Sequence, residues 1–152
     1  MKLTRILSLM IVGVFFVLAL ASCGATAPEI TVTLRIIADD PENPILDTPV
    51  KIQSENPTVL EAFQEGCIVN EISYTLTEAG DSVKDIADYK DYTDENGLVH
   101  YWMYYINDVE PSSGKANVNT IADGDVILYE YVTFEPEVTG GEEETDDTSA
   151  AE

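Results

Sequence analysis

Two segments rich in aromatic and β-branched residues constrain the fold of this chain more than any other feature. The first runs from Tyr101 to Asn107 and contains the only tryptophan, Trp102, and the second runs from Val126 to Phe134. Residues of these types favour strands, and the Gly, Pro, Ser and Asp residues between the segments are typical of turns. We therefore predict that the two segments form two strands of one sheet.

Alternation gives both predicted strands two apolar faces. Successive side chains of a strand point to opposite sides, so Trp102 and Tyr104 share one face while Tyr101 lies on the other. In the same way, Tyr129 and Tyr131 share one face of the second strand. One short helix can cover only one face of such a sheet, so loops, a partner or a ligand must cover the other.

The aromatic side chains allow two interpretations. Aromatic strands are usually part of a core, and here the loop over 107–122 would fold back while tyrosine hydroxyls reach water at the edges. Alternatively, the side chains form an exposed platform for a flat or ring-bearing ligand, because a patch of several tyrosines is larger than a soluble monomer usually exposes. The candidate ligand-binding residues are Tyr101, Trp102, Tyr104, Tyr129 and Tyr131.

Hydrophobic alternation predicts further strands upstream. Apolar residues occupy every second position from 30 to 36, and a second strand, expected to be antiparallel to the first, follows over 48–53. Shorter strands are predicted over 68–76 and 82–87. Asn96-Gly97 predicts a hairpin turn just before the first aromatic strand, because both residues tolerate positive φ.

A single helix is predicted over 56–66. Asn56 suits the N-cap, Pro57 the first helical position and Gly66 the C-terminal end. A helix of three turns is not stable alone, so its apolar side chains must dock on the sheet. Together the elements predict the α+β class: a single small domain in which a mixed or antiparallel sheet curls over one short helix.

The N-terminus has the pattern of an exported lipoprotein. Lys2 and Arg5 precede an apolar run over 6–20, which is typical of a secretory signal and is shorter than the roughly 20 residues of a transmembrane helix. Leu20-Ala21-Ser22-Cys23 resembles a bacterial lipobox, in which Cys23 is lipidated and becomes the new N-terminus. An ordinary signal peptide followed by a chance cysteine is the alternative.

These features predict a signal peptide over 1–22 and a lipidated tether over 23–29. Two or more acyl chains, such as palmitate, hold a protein stably on a bilayer, because each buried methylene contributes about 0.8 kcal/mol. We therefore expect the mature protein to be anchored to the cell membrane at Cys23, facing outside the cytoplasm.

The net charge of the chain limits the classes of partner that it can bind. It carries 29 acidic and 7 basic residues, and loss of the signal peptide leaves 5 basic residues and a formal net charge of −24. Such a charge argues against nucleic acid and anionic lipid headgroups as partners. The segment over 137–152 contains no apolar run and is predicted to be a disordered acidic tail, so the folded domain is expected over 30–136.

Few residues offer catalytic or metal-binding chemistry. With Cys23 lipidated, Cys67 has no disulfide partner and is expected to be a small buried hydrophobe. The residues around Cys67 lack metal-ligand spacing and His100 is the only histidine, so a zinc site is not expected. Asp123-Gly124-Asp125 lacks the spacing of an EF-hand loop and predicts a turn with positive φ at its glycine. Catalytic motifs are also absent from the sequence, so we predict a protein that is not an enzyme and has no metal or cofactor.

Two segments resemble the transcobalamin C-terminal-like domain, a module of secreted and lipid-anchored bacterial proteins and of vertebrate cobalamin carriers. They are Tyr101–Asn107 and Asp123–Asp125, and the helical segment 58–63 fits more loosely. The resemblance spans residues 30 to about 134 and implies a β-grasp-like arrangement. In the vertebrate carriers, the similar domain supplies one wall of the corrinoid site, which makes a corrinoid a candidate ligand.

The sequence therefore predicts a lipid-anchored binding module of the cell surface, with a small ring-bearing ligand such as a corrinoid. The alternative function is a protein-interaction or adhesion module of the cell envelope that has no small-molecule ligand.

Overall fold

A computed structural model describes residues 26–136 of the chain. The predicted signal peptide (1–22), the predicted lipidation site Cys23 and the predicted acidic tail (137–152) lie outside the described residues. Within 26–136, no helix is long and apolar enough to cross a membrane.

The described part of the chain folds into a small α+β domain with seven strands and one helix. The elements are β1 (Glu29–Ile37), β2 (Leu46–Gln53), α1 (Val59–Val69), β3 (Tyr74–Leu76), β4 (Val83–Ile86), β5 (Tyr92–Thr93), β6 (Val99–Ile106) and β7 (Val126–Phe134). Five strands form a curled mixed sheet in the order β2-β1-β7-β6-β5, and β3 pairs with β4 in a separate hairpin. Only the central pair, β1 and β7, is parallel. The predicted class and the pairing of the two aromatic segments in one sheet are confirmed.

The hydrophobic core lies on one face of this sheet, here called the inner face. Alternate residues of β1 (Val32, Leu34 and Ile36) are almost completely buried there, as the sequence pattern predicted. Tyr129 of β7 lies beside them, and its ring contacts that of Phe63 on α1 at a centroid distance of 4.7 Å. The helix and the β3–β4 hairpin both pack on this face, so the core is a layer between them and the sheet.

The helix begins later than the sequence suggested. Thr58, and not Asn56, is the N-cap: its hydroxyl accepts a hydrogen bond from the Glu61 N–H, and the Glu61 carboxylate accepts one from the Thr58 N–H. This reciprocal pair is a capping box, which satisfies two backbone donors at once. Asn56 is exposed, and as a lone capping residue it would satisfy fewer donors.

The helix also ends later, because Gly66 is an interior residue and not its C-terminal stop. A Cβ built at Gly66 would lie 2.5 Å from Leu34 Cδ2 and 3.1 Å from Val50 Cγ2. The glycine thus lets α1 approach the sheet closely, and the helix continues to Val69. The predicted strand over 68–76 is consequently wrong in its first half, and β3 is limited to Tyr74–Leu76.

Cys67 lies in the last turn of the helix and is fully buried, which confirms its predicted role as a small buried hydrophobe. Burial raises the pKa of the Cys67 thiol to about 12. Since the thiolate is the reactive form of cysteine, this thiol is chemically inert in the folded domain.

The long connection between β6 and β7 folds back onto the inner face. Ala116 and Ile121 are buried in the core. The carbonyls of Asn119 and Ala116 accept hydrogen bonds of 3.0 Å from the N–H groups of Val59 and Leu60. These first N–H groups of a helix have no partner within it, so the connection both covers the core and caps α1.

Tyr129 provides a test of this core. Its hydroxyl is buried and makes no hydrogen bond, and burial raises the pKa of Tyr129 well above its ordinary value. An unsatisfied buried hydroxyl costs roughly 1–3 kcal/mol, so Tyr129→Phe should leave the free energy of unfolding unchanged or raise it.

Tyr104→Phe is the matched control, measured by chemical denaturation. The Tyr104 hydroxyl donates to the Ser113 carbonyl at 3.0 Å and accepts from Asn119 Nδ2 at 2.6 Å, so its loss should cost about 1 kcal/mol. A larger loss of stability in Tyr129→Phe than in Tyr104→Phe would show that the Tyr129 hydroxyl has a bonding partner.

Candidate functional site

The predicted ligand-binding residues do not share one surface. Tyr129 is 1% exposed, Tyr104 7% and Trp102 8%, and all three point into the core. Tyr131 follows the same inner face but is only half-buried, and Tyr101 lies on the outer face of the sheet. The structure brings Trp102 together with Tyr131, at a centroid distance of 5.1 Å. Tyr101, Trp102 and Tyr104 line a separate cleft of about 290 Å³, beside Glu110 and Pro111.

The inner face opens where β5 meets β6, and an aromatic cleft of about 680 Å³ lies there. The aromatic cleft is walled by Tyr89, Tyr92, His100 and Tyr131, and its rim comprises Asp39, Asp88, Lys90, Asp91 and Thr133. Antiparallel pairing sets Tyr92 opposite His100, and His100 opposite Thr133. The sheet register therefore assembles these walls from three strands.

The rings of the cleft meet at two kinds of angle. Tyr92 stacks on the imidazole of His100, with centroids 4.6 Å apart and an interplanar angle of 7°. Tyr89 instead packs edge-to-face, at 64° to the ring of Tyr131 and at 84° to that of Trp102. Both arrangements are favoured by the quadrupole of an aromatic ring. The stack continues from His100 to Tyr131, with centroids 6.2 Å apart and an interplanar angle of 26°.

Hydrogen bonds fix the orientation of Tyr89, Tyr131 and Trp102. The Tyr89 hydroxyl donates to Asp39 Oδ2 at 2.6 Å, and the Tyr131 hydroxyl donates to the Lys90 carbonyl. The Trp102 indole N–H donates to the Tyr89 carbonyl at 3.2 Å, which ties the segment after β4 to β6. Groups held in this way lose little conformational entropy on binding, so the cleft is preorganised.

Acidic groups dominate the charge around the cleft. Asp39, Asp88 and Asp91 are exposed at its rim, against the single basic side chain of Lys90. The hydrogen bond to Asp39, assisted by burial, raises the pKa of Tyr89. The Tyr89 phenol therefore stays protonated at neutral pH, so Tyr89 is an uncharged side chain beside the rim carboxylates.

His100 is held at the base of the cleft. Its Nδ1 lies 3.1 Å from Thr133 Oγ1. Its Nε2 is buried without a hydrogen bond and lies 3.8 Å from Asp94 Oδ2. Within residues 26–136, no group of three His, Cys, Asp and Glu side chains could hold a metal ion.

The Asp123-Gly124-Asp125 turn is structural. Gly124 has a φ of +87°, as predicted. Asp123 Oδ1 accepts from the Thr31 N–H at 2.8 Å, and Asp125 Oδ2 accepts from the Ala122 N–H at 2.7 Å. The carboxylates thus fix the start of β1 beside that of β7.

Sequence reasoning missed Tyr89 and Tyr92 as site residues. They lie in the irregular segment between β4 and β6 and in the two-residue strand β5, where no periodic pattern marks them. The available signal was composition: the segment Asp88-Tyr89-Lys90-Asp91-Tyr92 places two tyrosines among two aspartates and a lysine. The predicted Asn96-Gly97 hairpin places Tyr92 opposite His100, whereas the contacts of Tyr89 with Trp102 and Tyr131 could not be read from spacing.

Comparison with protein families identifies the chain. The family described as a domain of unknown function, DUF4430, matches residues 56–133, which is just over half of the chain. The chain belongs to the DUF4430 family. The matched region includes α1, both aromatic strands and most of the aromatic cleft. No curated protein matches this DUF4430 chain in sequence.

Solved structures confirm the resemblance to transcobalamin-like proteins at the level of the fold. Haptocorrin in complex with Cbi matches over 76% of the DUF4430 chain with a TM-score of 0.59 and 15% sequence identity. The match covers 28% of haptocorrin, so the DUF4430 chain corresponds to well under half of that protein.

A protein from Ruminococcus gnavus ATCC 29149, proposed to bind metal, matches over 70% of this chain and 99% of its own, with 11% identity. Its TM-score of 0.48 is too low to support an argument.

Proposed function

We propose that this DUF4430 protein is a lipid-anchored binding module on the outside of the cell membrane, and that its ligand is a small molecule held in the aromatic cleft. The observation that carries the proposal is the cleft itself: about 680 Å³ of space lined by aromatic rings and charged side chains, in which hydrogen bonds fix the orientations of Tyr89 and Tyr131. Concave sites with aromatic walls and a few placed polar groups are typical of small-molecule binding.

The topology supports a β-grasp-like assignment. A β1–β2 hairpin is followed by the single described helix, and the last strand, β7, inserts parallel to β1 at the centre of the sheet. Haptocorrin shares this fold and was solved with Cbi bound. A ring-bearing ligand such as a corrinoid is therefore our candidate, and a module covering 28% of that protein would contact such a ligand from one side only.

The proposed anchor and the cleft lie at opposite ends of the sheet. β1 starts at Glu29, beside the start of β7, whereas Asp39 of the cleft follows the end of β1. The ten residue steps from Glu29 to Asp39 span about 33 Å if they are extended as in a strand. Six residues from Cys23 to Glu29 reach at most about 20 Å. An anchor at Cys23 would therefore hold the cleft away from the bilayer and towards diffusing ligands.

Fluorescence of Trp102 tests the ligand proposal directly, because this sole tryptophan lies 5.1 Å from Tyr131 and 6.2 Å from Tyr89. The full chain should show a saturable change in emission with at least one of a corrinoid, haem and a set of oligosaccharides, after correction for ligand absorption. Tyr92→Ala should weaken binding about fivefold or more, since stacking on an aromatic ring contributes roughly 1–3 kcal/mol.

The matched control is Tyr101→Ala, which removes a tyrosine of the outer face and should leave the affinity unchanged. Absence of a response to every ligand, or equal binding by Tyr92→Ala and the wild type, would contradict the proposed site.

Anchoring is tested at Cys23. Replacing Cys23 with Ser removes the sulfur that would carry the lipid, so the variant should incorporate no radiolabelled palmitate and should leave the membrane fraction or accumulate as precursor. Cys67→Ser, at the buried thiol, is the control and should be labelled like the wild type. Equal labelling of the Cys23→Ser variant would exclude lipidation at this residue.

The outer face of the sheet supports a second candidate function, a protein-interaction module of the cell envelope. The helix and the β3–β4 hairpin cover the inner face, whereas the side chains of the outer face are only half-buried. The half-buried side chains of the outer face include Tyr101, Met103, Tyr105, Leu128 and Val132. Aromatic residues and methionine are enriched in protein interfaces. A cleft that binds none of the ligands above would favour this second function.

A further inference from the structure

We infer that the aromatic cleft selects organic cations, in particular ligands that carry a quaternary or alkylated ammonium group. The inference rests on the proposed function of the cleft and adds the chemical class of its ligand. It follows from three features of the described residues: the open ring face of Tyr92, the polarisation of one ring, and the sign of the charge at the rim.

The first feature is the exposed ring face of Tyr92. One face of Tyr92 is occupied by the stacked imidazole of His100, yet Tyr92 remains 50% exposed. Its other face is therefore open to solvent. His100 also stacks with Tyr131, with centroids 6.2 Å apart, so the open face of Tyr92 points away from Tyr131 and offers one ring face beside the acidic rim. Cations bind over the faces of aromatic rings.

The second feature is the hydrogen bond from the Tyr89 hydroxyl to Asp39 Oδ2, at 2.6 Å. Donation to a carboxylate is a strong, charge-assisted bond. It draws the proton away from the phenol oxygen and thereby increases electron density on the ring. A more negative ring face attracts a cation more strongly, so Asp39 contributes to the cleft both as a rim charge and through Tyr89.

The third feature is the charge of the rim. Three exposed carboxylates, on Asp39, Asp88 and Asp91, stand against the one ammonium group of Lys90. The whole chain carries a formal charge of −22. A cleft lined by one sign of charge concentrates counter-ions and repels ligands of the same sign. An anionic ligand would meet this repulsion, whereas a cation would be attracted by both the rim and the rings.

The tyrosine hydroxyls of the cleft are used within the protein, so the charged groups left to face a ligand are those of the rim. The Tyr89 and Tyr131 hydroxyls already donate within the protein. A quaternary ammonium group has no N–H to donate and is satisfied by ring faces and by nearby, unpaired negative charge. A quaternary ammonium ligand therefore matches the groups that remain available in the cleft, which are an aromatic ring face and the rim carboxylates.

The experiment compares choline with 3,3-dimethylbutan-1-ol, in which a carbon replaces the ammonium nitrogen at nearly the same shape. Both are titrated into the full chain while Trp102 fluorescence is recorded, and binding is checked by calorimetry. Choline should bind about tenfold more tightly than its neutral analogue, which is the range expected of a partly exposed cation–π site. Its affinity should fall as salt is raised, because screening weakens the rim charges.

Variants distinguish the contribution of the aromatic rings to choline binding from that of the rim charges. Tyr92→Leu keeps an apolar side chain but removes a ring, and should remove most of the preference for choline. Asp91→Asn should weaken choline binding about twofold to fivefold without changing the binding of the neutral analogue, as expected of an exposed charge. Glu78→Gln is the matched control: it removes an exposed carboxylate from the β3–β4 turn and should change neither affinity.

The outcomes distinguish this inference from the proposed function. If a corrinoid, haem or an oligosaccharide binds at the cleft while choline does not bind, or binds no better than 3,3-dimethylbutan-1-ol, the cation selectivity is wrong and the binding module stands. If none of these ligands binds, both are wrong. Retention of the full choline preference by Tyr92→Leu would also overturn the inference, because the preference would then not come from the cleft.

Discussion

The packing of Tyr129 between Phe63 and Tyr104 is the contact on which the rest of the structure depends. The ring of Tyr129 lies 4.7 Å from that of Phe63 on α1 and 5.5 Å from that of Tyr104 on β6. It therefore joins the helix to the two aromatic strands at the centre of the core. Aromatic pairs of this kind contribute about 0.5–1.5 kcal/mol beyond the apolar area that they bury. The close approach of α1 at Gly66 completes the same layer.

The length of the helix explains where the core ends and the aromatic cleft begins. An α-helix of 11 residues is about 16 Å long, whereas a strand of nine residues such as β7 extends about 30 Å. The helix, the β3–β4 hairpin and the β6–β7 connection cover Tyr129 and Tyr104 but leave Tyr131 half-buried. The same aromatic pattern thus forms a core along most of its length and a ligand-sized opening at its end. The aromatic residues of β6 and β7 therefore form both a buried core and one side of an open cleft.

The elements that were predictable from sequence are those with a strong periodic signal. Alternation located β1 and β2, and aromatic and β-branched composition located β6 and β7. Asn96-Gly97 located the hairpin, in which Gly97 has a φ of +84°. The helix was found, but both of its ends were misplaced. Gly66 is a helix stop by local propensity, and only its contact with Leu34, which is distant in sequence, explains why it lies inside the helix.

The aromatic cleft was predictable only in part, for the same physical reason. Trp102 and Tyr131 were chosen from the strand pattern, and they do lie at or beside the opening. Whether a given aromatic residue is buried depends on how far the helix and the connection reach, which alternation does not encode. The Asn96-Gly97 turn sets Tyr92 opposite His100, so this half of the cleft follows from the predicted hairpin. Tyr89 enters through its contacts with Trp102 and Tyr131, which no local pattern predicts.

The central claim is that Tyr104 and Tyr129 of the inner face belong to a closed core, whereas Tyr92 lies in the open aromatic cleft. Hydroxyl-radical footprinting of the tyrosines, read out by mass spectrometry, measures this most directly. The account predicts rapid modification of Tyr92, which is 50% exposed, and protection of Tyr129 and Tyr104, which are 1% and 7% exposed. Modification of Tyr129 in the folded protein at a rate comparable to that of Tyr92 would contradict the account, since the paired strands would then be an open platform.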